Sequence, residues 1–229
     1  MRAVLLNSPK RAVPAGLVVL AFALLAHPAA AHVLDVDLSK LSRTEIFWTY
    51  LRLGFTHIIP LGFDHILFII SLYLLEPRLK PVLLQATAFT VAHSITLGLA
   101  MYGFIRPPAA IIEPVIALSI LFVAIENIIT DRLNPWRVAI VFGFGLVHGM
   151  GFASALTGLG LPAKDYFGSL ISFNVGVELG QVSVILLAWA VVGRWAADKS
   201  WYKRRVVVPV SVAIGLVAAY WTVERVFFT

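Results

Sequence analysis

Four histidines lie inside strongly apolar stretches of this chain, His57, His65, His93 and His148, and three carboxylates, Asp64, Glu126 and Glu178, lie among them. Hydrocarbon is a poor solvent for such groups, so ionisable side chains at membrane depth usually face the protein interior and mark a pathway. Imidazoles and carboxylates, in a chain without cysteine, make a ligand set for a divalent transition metal ion. One or two such residues would read as polar glue between helices. Seven together favour metal chemistry.

The apolar stretches have the dimensions of membrane spans. Of 229 residues, 60% are hydrophobic and 13% charged, and the mean hydropathy is +0.91. Runs of about 20 apolar residues recur, the length a ~30 Å hydrocarbon core demands of a helix. The absence of cysteine excludes disulfides, thiolate metal sites and a cysteine nucleophile. The net charge of +6 does not indicate nucleic acid, because the basic residues gather between apolar runs and so report topology.

Residues 1–31 read as a secretory signal peptide: Arg2, Lys10 and Arg11, an apolar run over 12–26, then small residues ending at Ala31. Cleavage after Ala31 is expected, with an uncleaved anchor as the alternative. His32 would then be a new N-terminus, able to bind metal through its amine and ring or simply following the cut. Residues 32–229 are expected to form one all-α domain, a polytopic bundle of six transmembrane helices over about 46–75, 81–104, 109–130, 137–160, 167–193 and 206–227. Turn signals at Pro77, Pro107 with Pro108, Pro135 and Pro162 separate them. The stretch from Thr44 to Arg52 suits an interfacial turn of helix before the first span proper. With the mature N-terminus outside, nine basic residues fall in inside loops (Arg78, Lys80, Arg132, Arg137, Arg194, Lys199, Lys203, Arg204, Arg205) and six outside (Lys40, Arg43, Arg52, Arg106, Lys164, Arg225). The positive-inside rule therefore agrees with the signal peptide, and both mature termini are expected in the periplasm.

Depth orders the candidates, since a helix rises ~1.5 Å per residue. Asp64, His65, His93, His148 and Glu178 fall near the middles of four spans and form one expected layer. His57 lies about 10 Å outward of Asp64 on nearly the same face. Glu126 and Asn127 lie about 9 Å inward of mid-span. Asn174 and Gln181 share the face of Glu178, as ligands or as ordinary interhelical hydrogen-bonding groups. Thr90 and Thr96 are placed to orient the His93 ring, and Glu113 beside Pro114 suits a helix start. The GxxxG pairs Gly145/Gly149 and Gly176/Gly180 suggest close contact of the fourth and fifth spans, bringing His148 beside Glu178. Pro60 and Gly62 predict a kinked or unwound first span, as in transporters with broken helices.

Three groups of residues carry a resemblance: Gly54, His57, Pro60, Gly62, Asp64, His65 and Phe68; His148, Gly149, Gly151 and Phe152; and Phe173, Asn174, Gly176, Glu178, Gly180 and Gln181. They resemble the HupE/UreJ membrane proteins across all six expected spans. The spacing from His57 to Asp64 is wider than in the better-known branch and is similar to the second, broader one. The resemblance implies a role in hydrogenase or urease maturation and a nickel or cobalt permease.

The expected function is an inner-membrane permease for a divalent metal ion, which is its substrate and not a prosthetic group. Asp64, His65, His93, His148 and Glu178, with Asn174, would replace the ion's water shell. His57 would receive it and Glu126 would pass it inward. Nickel and cobalt lead, zinc and iron remain open, and copper(I) is disfavoured because it prefers sulfur. No P-loop is present; membrane potential offers about 4.6 kcal/mol per 100 mV to a doubly charged ion, and proton antiport stays open. The alternatives are a membrane-embedded metal-dependent hydrolase and a non-transporting sensor or assembly factor. Lipid and metal are the expected partners, with a second copy or a metallochaperone as open additions and no nucleic acid.

Overall fold

A computed structural model describes residues 41–158 and 165–228, and their side chains except at 154–158. The expected signal peptide, His32, Lys164 and the turn at Pro162 lie outside the described residues.

Seven helices are described, and no strand among these residues. Helix α1 (Arg43–Ile58) opens on a capping box, in which Ser42 Oγ accepts from the Glu45 amide and Glu45 Oε2 accepts from the Ser42 amide. It runs unbroken through the stretch expected to be an interfacial turn. It stops because Pro60 has no amide hydrogen to continue the ladder. After four residues α2 (Phe63–Leu75) resumes at 66° to α1. Gly62 makes the turn possible: a Cβ there would run into the His57 carbonyl.

Then follow α3 (Leu79–Met101), α4 (Ala109–Ile129), α5 (Arg137–Gly158), α6 (Tyr166–Ala196) and α7 (Lys203–Phe227). Helix α6 has a wider, π-type turn at Trp189–Gly193. Helices α3, α4, α6 and α7 are each long and apolar enough to cross a membrane, and α1 with α2 makes a fifth such element if the bent pair is one span. The described apolar part of α5, Arg137–Ala153, is shorter. The chain is thus an all-helical membrane protein.

The dominant packing pairs are α3 with α5, α1 with α6 and α4 with α7. This corrects the expected contact between the two glycine-paired spans. Gly145 and Gly149 lie against the backbone of Phe89 and His93 on α3, while Gly176 and Gly180 lie against Leu51, Phe55 and Ile58 on α1. Small residues let backbones approach, but the pattern does not name the partner. His148 and Glu178 are consequently not brought together by these faces.

One buried polar network fastens α2, α4, α5 and α7. Asn127 Nδ2 donates to the Ser71 carbonyl at 2.7 Å and to Ser211 Oγ at 3.3 Å. Its Oδ1 accepts from the Arg137 guanidinium at 3.2 Å. Lys203 donates to the carbonyls of Asn127 and Thr130.

Candidate metal centre

His57 sits in the last turn of α1, His65 in the first turn of α2 and His93 on α3. One ring nitrogen from each lies within 4.8 Å of the others. The bend does this. A straight helix would leave His57 a tier further out, whereas here its ring centroid is 4.7 Å from that of His65 and 6.2 Å from that of His93. Nitrogens bound to one ion at ~2.0–2.1 Å are at most about 4.2 Å apart, so small ring rotations would close the group on a metal.

The same three residues leave their Nε2 atoms buried without a hydrogen-bond partner. Buried polar atoms are normally satisfied, so three such exceptions on rings of one cluster fit a bound cation. Aromatic rings wall the place: Phe152 is 3.9 Å from His57 between centroids, and Phe89 is 5.8 Å from His65. The orientation of His93 has a traceable origin. Asn174 Nδ2 donates to the Leu170 carbonyl at 2.8 Å, and this anchor turns Oδ1 toward His93 Nδ1 at 3.4 Å. Nδ1 therefore carries the proton and Nε2 the lone pair. Thr90 and Thr96, expected to orient this ring, bond back to their own helix.

His148 stands beside the group, its ring 5.1 Å from that of His65, with Nε2 at 2.9 Å from Ser119 Oγ. Its Nδ1 is buried and unpartnered. The carboxylates are engaged elsewhere. Asp64 pairs with Arg225 on α7 at 2.9 Å, because adjacent helical residues diverge in direction and His65 already faces the other histidines. Glu178 accepts from Thr87 Oγ1 at 2.6 Å, with its second oxygen buried and unpartnered. Glu126 lies 3.4 Å from the Arg137 guanidinium. The expected mid-span layer of five is thus replaced, among the described residues, by three converging histidines with His148 and Asn174 adjoining.

Ser119 escaped the sequence reading, and Arg137 and Arg225 entered it as topology charges without their contacts inside the bundle. Ser119 is a lone small hydroxyl in the middle of an apolar helix, and that was its available signal. Arg137 counted only as a loop charge, yet its side chain is 1% exposed. Gln181 is fully buried with both amide atoms unpartnered. At the end of the bundle away from Arg137, a cavity of about 480 Å³ is lined by Met101, Arg106, Ile112, Glu113, Met150 and Gly151, among others. Gly151 in this lining is about one helical turn along α5 from His148.

Comparison with curated proteins and with solved structures returned no match. The profile described as HupE / UreJ protein matches residues 34–225. Covering both arms of the broken helix and His57, His65, His93 and His148, that match shows that the chain belongs to the HupE/UreJ protein family.

Proposed function

We propose that this protein is a bacterial inner-membrane permease for a divalent transition metal ion, nickel or cobalt first. In this reading it crosses the membrane six times, α1 with α2 forming one broken span, and both mature termini are periplasmic. The observation that carries it is the convergence, at the break between α1 and α2, of three imidazoles that each hold a buried, unpartnered nitrogen. Imidazole suits nickel, cobalt and zinc over magnesium or calcium. Three neutral rings leave both charges of the ion unneutralised, and such a site favours passage over permanent retention. In this reading the cavity of about 480 Å³, whose lining includes Gly151 a turn from His148, would serve as the ion's entrance from the periplasm, and membrane potential would draw the cation inward.

Family membership supports a membrane role in nickel or cobalt handling, as transporter or accessory protein, in a family not known for enzymes. A hydrolase would need a carboxylate or other base at the metal, and Asp64 and Glu126 are each paired with an arginine. The test is flux of Ni²⁺ and Co²⁺ into proteoliposomes containing only this protein, with and without a potential. Uptake that disappears in His65→Ala and His93→Ala is expected. Tight binding without flux would instead make the protein a sensor or assembly factor.

A further inference from the structure

We propose that Ser119 is a positioning residue, which fixes His148 as the tautomer that offers Nδ1 as a fourth nitrogen donor beside His57, His65 and His93. This rests on the metal-centre reading above and adds the device that completes it. Ser119 Oγ lies 2.7 Å from the Ile116 carbonyl oxygen and 2.9 Å from His148 Nε2. A hydroxyl has one hydrogen to donate. The carbonyl can only accept, so the hydrogen goes to Ile116, and Ser119 Oγ must receive its second hydrogen bond from His148. Nε2 of His148 therefore bears the proton and Nδ1 bears the lone pair.

That lone pair is the buried atom left without a partner. Phe68 and Phe89, with ring centroids 5.4 and 5.0 Å from His148, hold the imidazole against His65. The arrangement is the mirror of Asn174 and His93, where a neighbour accepts from Nδ1 and frees Nε2. Two outer residues on different helices thus set opposite tautomers, and both lone pairs would be open to one centre, His148 standing just outside the group of three. Metal-bound histidines typically donate their other ring N–H to such a partner, and losing that partner typically costs ~10–100-fold in affinity.

Two measurements test the assignment. In metal-free protein labelled with ¹⁵N-histidine, NMR should find the His148 proton on Nε2 in the wild type and on a mixture of both nitrogens in Ser119→Ala. A wild-type proton on Nδ1 overturns the proposal. With Co²⁺ as probe, the wild type should show the intense visible absorption of a four-coordinate, tetrahedral ion. Ser119→Ala should lose most of that intensity, as should His148→Ala, and bind Co²⁺ ~10–100-fold more weakly, whereas Ser119→Thr, which keeps the hydroxyl, should restore both. A Ser119→Ala protein with the wild-type spectrum and affinity overturns the fourth-donor role. Co²⁺ binding that survives His65→Ala combined with His93→Ala overturns the metal centre itself, a result distinct from either of the others.

Discussion

Asp64 and His65 are neighbours in the chain with opposite duties. His65 turns into the cluster of rings, while Asp64 faces α7 and holds Arg225. His65→Ala should therefore lower Co²⁺ affinity by more than the ~10–100-fold typical of losing an outer partner. Asp64→Asn should leave that affinity within a few-fold and cost about 1 kcal/mol of stability, since the pair is partly solvated. Calorimetric titration in detergent and thermal melts read the two effects separately. The Arg137 and Glu126 pair is different, because the guanidinium is sequestered from solvent. Arg137→Gln strands a carboxylate in a dry setting and should destabilise by about 3–5 kcal/mol. Adding Glu126→Gln to that variant should recover much of the loss, and a double variant no more stable than the single would show that the pair is not coupled.

The break between α1 and α2 shows where an element follows from its sequence and where it does not. Pro60 and Gly62 announced an interruption, and the apolar runs and proline turns gave the helix limits to within a few residues. Depth was legible in part, since His93 and His148 lie near mid-helix, whereas the break puts His65 in the first turn of α2. Direction around each helix axis was not. Rise per residue fixes one coordinate only, so Asp64 and Glu178 shared a level with the histidines without sharing their target. The bend angle was equally hidden, and with it the return of His57 to His65. Glycine pairs likewise signalled close packing, yet α5 and α6 chose α3 and α1. Gly62→Ala tests the element directly: its methyl would meet the His57 carbonyl, and forced overpacking costs roughly 1–3 kcal/mol. The expected result is a lowered melting temperature with weakened Co²⁺ binding, because His57 moves. Unchanged binding would mean that the turn does not set the position of His57.

Across the whole molecule, charge and aromatic residues together mark one end of the bundle as an interface. Trp136, Trp195 and Trp201 are exposed near the end that holds Arg137 and Lys203, as aromatic residues are at a membrane interface, and Arg194 lies over two of the neighbouring indoles, Trp189 and Trp195. Reporter fusions at residues 78, 134 and 200 should read cytoplasmic, and fusions at 106 and 164 periplasmic. A cytoplasmic reading at 164 would remove the six-span arrangement, because α5 would then not cross.

Helix α6 runs 31 residues from Tyr166 to Ala196, about 46 Å end to end, against a hydrocarbon slab of about 30 Å. A rod that long must lean or protrude, and the amount depends on how thick the surrounding lipid is. Because α6 carries Asn174 and packs along α1, any change of lean is transmitted to the two rings they position, His93 and His57. Acyl-chain length would thereby become a control on how well the imidazoles converge, and a metal ion held there would be gripped differently in a thin bilayer and in a thick one.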